Sequence, residues 1–224
     1  MADRPKEKKI LRFEAYKEIK SRILFLDLKP GQKIFESEIA KSLKASATPV
    51  REALLMLEGE KLVEAHPRLG FVVKKLEIKE VDEYFAIRKV LELFAVPLIL
   101  EHITDSELRA LRDNIKKAEK CTGKNDLRNI IRYETEFHEI LYKATRSDVF
   151  FRTISGLVDK FQLIRAIAMM AHGGPDESVE HHKKILAAIE EKDPRALQSM
   201  IKRHLNRARD YYTESPLGAF LGTT

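Results

Sequence analysis

The 224-residue chain holds one cysteine, no tryptophan, nine glycines and eight prolines. A single thiol cannot close an internal disulfide, so Cys121 reads as a free thiol near a loop, in keeping with a reducing compartment. Sparse glycine and proline exclude a fibrous repeat, and 44% hydrophobic with 34% charged residues excludes disorder of the whole chain. A window of about 20 apolar residues is also missing, and the opening MADRPKEKK leads into no apolar stretch of signal-peptide length. A cytoplasmic protein with no membrane partner is expected.

What is present is uneven. The formal net charge is +6; residues 1–75 carry 17 Lys or Arg against 11 Asp or Glu, whereas residues 76–224 carry 24 of each. The whole excess sits in the first third, which points to an anionic partner for that part alone. Length favours two domains, since domains usually span roughly 100 to 200 residues.

Residues 1–12 read as a disordered basic tail. From Phe13 to Phe25, Ala15, Ile19, Ile23 and Leu24 recur at helical spacing, and Lys29-Pro30-Gly31 then predicts a turn, because proline presets one central position and glycine accepts the positive φ of the next. A short helix over 36–43 follows. A third helix is predicted from Thr48-Pro49 to about Gly59, with the threonine as N-cap, the proline at the first helical position, and Ala53, Leu54 and Leu57 facing inward. Leu62-Val63-Glu64-Ala65 and Phe71-Val72-Val73, joined by residues 66–70, read as a β-hairpin. Three helices closed by a hairpin make a winged helix-turn-helix over residues 13–75, a module whose third helix enters the DNA major groove. Arg51 then reads or clamps DNA, the hydroxyls of Ser46 and Thr48 meet phosphate, and Arg68 with Gly70 at the hairpin tip touches the backbone or minor groove.

Lys29-Pro30-Gly31, Glu36-Ser37-Glu38-Ile39-Ala40, Thr48-Pro49-Val50-Arg51-Glu52-Ala53-Leu54 and Pro67-Arg68-Leu69-Gly70-Phe71-Val72-Val73 together resemble the N-terminal domain of GntR-family transcription regulators. The resemblance implies a double-stranded, palindromic operator as partner. The chain departs from the family's pattern at Ala47, where an arginine usually precedes Thr-Pro, and at Ser37, where some relatives carry an arginine. An arginine lost from a guanine contact removes about 1–3 kcal/mol of discrimination.

Beyond Lys75 no strand pattern persists. Helices are predicted over 77–101, 104–120, 126–145, 147–171, 176–191 and 194–213, broken at Thr104-Asp105, Thr122-Gly123, Gly173-Gly174-Pro175 and Asp193-Pro194. Six helices imply an all-α antiparallel bundle over residues 76–213, followed by a tail over 214–224. The fold class is therefore mainly α. Glu134 and His138 stand four apart on one helix face beside the apolar Phe137; His182 and His204 fall on the apolar stripes of the last two helices. Imidazoles and a carboxylate suit zinc, nickel or another first-row divalent ion. A lone buried histidine is also a common structural residue, so both readings stand on the residues alone. His66, His102 and His172 read as surface or loop residues, as does His181, which points away from the stripe of His182.

Arg88-Lys89-Val90-Leu91-Glu92, Phe137-His138 and the run His182, Ile185, Ala188-Ile189, Asp193, Ala196, Met200, His204-Leu205 resemble the FCD effector domain of the FadR-like branch of the same family. The resemblance implies that His138, His182, His204 and Glu134 hold a divalent ion, with glutamate where the family usually has aspartate. It also implies that Arg88 faces the cavity and pairs with a small organic acid effector, as the planar guanidinium favours, and that the protein works as a homodimer. A bundle serving only for dimerisation is the alternative. Hydrolase chemistry is disfavoured: His138-Glu139 lacks the second zincin histidine because position 142 is tyrosine, and no glycine-rich phosphate loop, G-x-S-x-G elbow or Cys and His pairing occurs.

Overall fold

The computed structural model describes residues 4–171 and 173–217, and the chain divides into two compact units between Leu76 and Glu77. Ten helices and three short strands occur among the described residues. The mainly α class and the split into a winged module and a helical unit are both as expected.

In the first unit α1 runs Arg4–Leu24, β1 Lys33–Ile34, α2 Glu36–Ser42, α3 Ala47–Gly59, β2 Val63–His66 and β3 Gly70–Val73. The helix expected from residue 13 begins at Arg4, so residues 4–12 are not a disordered tail. Lys and Glu are good helix formers without an apolar stripe, and Pro5 is tolerated in a first turn. Residues 1–3 lie outside the described part. The Pro30-Gly31 turn forms: Gln32 N–H donates to Lys29 C=O at 2.9 Å, and Gly31 has φ +81. A Cβ there would sit 2.7 Å from Lys75 Cε.

α3 starts earlier than Thr48. Ser46 occupies the N-cap position with extended backbone and makes no side-chain capping bond. Thr48 and Pro49 thus lie inside the first turn, where backbone N–H groups lack intrahelical partners and a proline loses nothing. The hairpin pairs Val63 with Val73 and His66 with Gly70, and β1 adds to its other edge through Lys33 with Val72, giving the order β1-β3-β2. Ala15, Ile19, Ile23, Val50, Leu54, Leu57 and Phe71 form the core of this unit.

The second unit comprises α4 Ile78–His102, α5 Asp105–Thr122, α6 Leu127–Ala144, α7 Asp148–Ser155, α8 Val158–Ala168, α9 Gly174–Glu190 and α10 Pro194–Glu214. Helix starts follow local chemistry. Thr104 and Glu107 form a reciprocal capping box, Ser147 accepts from Phe150 N–H, and Asp193 accepts from Arg195 and Ala196 N–H. The single helix expected over 147–171 is two, interrupted at Gly156-Leu157. α10 packs on α4, α8 and α9, and α5 on α6 and α9. Helix α10 reaches Glu214, and Ser215 is fully buried, so the expected tail begins later than 214. Residues 218–224 lie outside the described part, as does His172. No described helix is long and apolar enough to cross a membrane.

Candidate functional site

In the winged unit, Val50, Ala53, Leu54 and Leu57 anchor α3 in the core, which turns Thr48, Arg51 and Leu55 outward. Ser46, Thr48, Arg51, Arg68 and Gly70 are all exposed. Arg68 (φ 71) and Gly70 (φ 80) carry the left-handed backbone of the hairpin tip. Leu55, one turn beyond Arg51 on the same face, is 52% exposed. It was not singled out from sequence, where a leucine in an amphipathic helix reads as core.

The second unit gathers its polar residues in its interior. α6 supplies Glu134 and His138, α9 His182 and α10 His204, and none is more than 4% exposed. One ligand atom from each lies within 4.8 Å of the others. His138 Nε2 is 3.2 Å from His204 Nε2, and His182 Nε2 is 3.5 Å from a Glu134 oxygen. Nitrogens bound to one ion at about 2.1 Å stand roughly 3.0 Å apart at a right angle and roughly 3.4 Å apart at a tetrahedral one. The His138–His204 pair falls in that range, and the 3.5 Å pair and the 4.8 Å limit lie above it. The structure thus brings the four expected residues into one buried cluster.

Their surroundings leave this cluster incomplete. Glu134 Oε1, His182 Nε2 and His204 Nδ1 are buried without a hydrogen-bond partner, and each such atom costs about 1–3 kcal/mol. Burial raises the Glu134 carboxyl to about 7, although Arg165, Ser178 and Arg88 oppose the rise. Burial also drives His138, His182 and His204 well below the ordinary imidazole range, with Arg88 and Arg165 adding to the fall. The histidines are thus neutral and able to offer lone pairs. Ser178 Oγ donates to Glu134 Oε2 at 2.8 Å, and the Phe137 ring stacks on His182 at 3.7 Å, fixing two of the four side chains.

Arg88 is buried and faces the cluster. Its Nε donates to Glu92 at 2.7 Å, and its Nη2 lies 3.2 and 3.0 Å from Nδ1 and Nε2 of His138. Tyr142 also donates to Glu92, at 2.7 Å. Burial works against the charge on Arg88, but Glu92 and Tyr142 outweigh it and hold its pKa above the ordinary value. Beside the cluster lies a chamber of about 10 Å³ lined by Arg88, Glu134, Arg165, Ser178 and His204 among others, which is about the space of one water molecule.

Two side chains here were not anticipated. Arg165 on α8 is 6% exposed in the run Phe161-Gln162-Leu163-Ile164-Arg165-Ala166-Ile167; a charge amid apolar residues at both helical faces was its signal. His181, expected at the surface, is 4% exposed and sits edge-on to His204 at 5.9 Å. α9 is buried over a face wide enough to take in consecutive residues. His66 is exposed, and His102 is half-buried.

Comparison with known proteins identifies both units. Residues 11–73 match the gntR family of bacterial regulatory proteins and residues 83–207 match the FCD domain. YdhC of Bacillus subtilis strain 168, an uncharacterized HTH-type transcriptional regulator, is 30% identical over 193 residues, covering 85% of this chain and 86% of its own. The HTH-type transcriptional regulator McbR of Escherichia coli K12 is 28% identical over 191 residues, covering 82% of this chain and 84% of its own. The solved structure of E. coli McbR/YncC superposes with a TM-score of 0.75 at 26% identity, covering 88% of this chain and 93% of that one. These relatives are transcriptional regulators, not enzymes.

Proposed function

The chain belongs to the GntR family of bacterial regulatory proteins and is a DNA-binding transcriptional regulator with an FCD effector domain, and from that premise we propose that it is a metal-dependent sensor of small organic acids. Glu134, His138, His182 and His204 would hold one divalent transition ion, zinc or nickel by donor chemistry. The observation that carries this reading is their convergence within 4.8 Å in a buried site that leaves three polar atoms unpartnered. An ion held by these four residues would supply a buried double positive charge able to attract a carboxylate. Arg88, lining the adjoining chamber, offers the effector a guanidinium.

On the DNA side, Arg51 reads base edges from α3 while Ser46, Thr48, Arg68 and Gly70 meet the backbone of a palindromic operator. A palindrome requires two copies. α4 exposes Ile87 (47%), Val90 (68%) and Phe94 (59%) along one stripe, and Val149 on α7 adds a further apolar side chain at 70%. A contiguous apolar patch of this kind is what an interface covers, so we take it as the surface of the homodimer. The effector acts by binding the DNA-competent and DNA-incompetent arrangements with different affinity.

The test is operator affinity, by fluorescence anisotropy on a site selected from random duplex DNA, with chelator, with zinc, and with zinc plus acetate. A change of about fivefold or more among these conditions is expected, absent in His182→Ala. Equal affinity in all three would reduce the helical unit to a dimerisation module.

A further inference from the structure

The exposed face of α3 is not uniformly polar. At about 100° per residue, Leu55 lies about 160° around the helix from Ala53 and Leu57, both fully buried, so it faces away from the core of the unit. On the same projection it stands about 40° from Arg51 and about 20° from Thr48, which are exposed as well. Single exposed leucines are ordinary on a protein surface. Leu55, 52% exposed, differs in its place: it continues the stripe that starts at Thr48 in the first turn and runs through Arg51. Glu52 and Glu58, about 60° to either side of it, are engaged elsewhere. Glu52 faces Arg12 of α1 at 3.8 Å, and Glu58 accepts from the backbone N–H of Ala65 at 3.2 Å.

A helix lying in the major groove meets phosphate oxygens at the walls and hydrogen-bond donors or acceptors on the base edges. The apolar group in that groove is the 5-methyl of thymine. A leucine pressed against phosphate or a carbonyl oxygen strips hydration from it and returns no hydrogen bond, so a thymine methyl is its favourable seat. Arginine at such a helix most often takes O6 and N7 of guanine. Leu55 follows Arg51 by four residues, about 6 Å along the helix axis, and successive base pairs stand about 3.4 Å apart.

We propose that Leu55 is a base-reading residue of α3, holding the 5-methyl group of a thymine about two base pairs from the guanine taken by Arg51. This rests on the reading of α3 as the helix that enters the groove and deepens it, because it specifies a base at a second position of each half-site. Arg51 contributes charge-assisted hydrogen bonds there, and Leu55 contributes apolar discrimination.

Deoxyuridine lacks only the 5-methyl group of thymine and keeps its donors and acceptors, so it isolates this contact. The test is fluorescence anisotropy of the full chain on an operator selected from random duplex DNA, with each thymine replaced in turn, in both half-sites, by deoxyuridine. Burial of one methyl group is worth about fourfold in affinity. At one thymine the wild type therefore loses about fifteenfold when both half-sites are altered. Leu55→Ala binds the unmodified operator more weakly and loses nothing further at that thymine, whereas Leu55→Met, apolar and of similar volume, keeps the methyl sensitivity. Wild-type affinity that falls at no thymine, or a loss that persists undiminished in Leu55→Ala, overturns the proposal; a defective Arg51→Ala then still leaves α3 as the reading helix. Specific binding retained by Arg51→Ala overturns the reading of α3 and the proposal with it. Leu55 lies outside the core, so helical content by circular dichroism stays unchanged in its variants.

Discussion

Glu134→Gln separates what the buried cluster does for binding from what it does for folding. The side chain is 0% exposed, one of its oxygens has no partner, and its pKa is raised from 4.5 to about 7. Each unit of such a shift corresponds to about 1.4 kcal/mol, so above pH 8 the ionised side chain costs the metal-free fold about 3 kcal/mol. The sign follows from the direction of the shift. A carboxyl raised on folding contributes stability that is fully present below 4.5 and is lost as pH rises through about 7, whereas glutamine, of nearly the same shape, suffers no such loss. Ser178 can still donate to the amide oxygen placed where Oε2 stands. We therefore expect Glu134→Gln to stabilise the metal-free protein by about 1 to 3 kcal/mol at pH 8, with the advantage shrinking toward pH 5. Zinc affinity falls by roughly tenfold or more, as when a charged partner is lost from a metal site. Urea denaturation in the presence of chelator, at several pH values, reads the first effect, and calorimetry reads the second. A variant less stable than the wild type at pH 8 would mean that the buried carboxylate does not burden the metal-free fold, and one that binds zinc equally well would mean that Glu134 is not a ligand.

Other expectations are simpler to state. Arg51→Ala abolishes specific operator binding and leaves helical content intact; retained affinity would mean that α3 does not present this residue to bases. Ala47→Arg tightens DNA binding and steepens its salt dependence by about one phosphate contact. Ala47 is exposed in the first turn of α3, so an unchanged salt slope would show that this turn does not approach DNA. Val90→Asp with Phe94→Asp converts a dimer to monomers in sedimentation equilibrium, and an unaffected dimer would place its interface elsewhere. Metal-free protein loses stability as pH falls through 6.5, because the unfolded chain takes up protons that buried His138, His182 and His204 refuse. Glu134 runs the other way, but one carboxyl is outweighed by three imidazoles; stability that stays flat from pH 7.5 to 5.5 would contradict this.

Much of this was legible because local chemistry carried it. Pro30-Gly31 makes its turn from the properties of two residues, Thr104 and Asp193 cap their helices, and Glu134 with His138 share a face whatever surrounds them. Features fixed by distant partners were not legible. β1 is two residues long and exists only because β3 pairs with it. The break between α7 and α8 falls at Gly156-Leu157, without a proline to mark it. Thr48 has the composition of an N-cap, but the first turn of α3 forms one residue ahead of it. His181 and His182 are both buried because α9 is covered on more than a single stripe, which periodicity cannot foresee. Arg165 was not legible because the charges it meets, Glu134 and Arg88, lie on other helices and reach it only once the fold is formed.

Whether the buried Glu134, His138, His182 and His204 hold a metal is decided by elemental analysis of the protein purified without added metal. One divalent transition ion per chain is expected in the wild type and none in His182→Ala with His204→Ala. Wild-type protein that carries no ion and takes none up on exposure to zinc or nickel would contradict it.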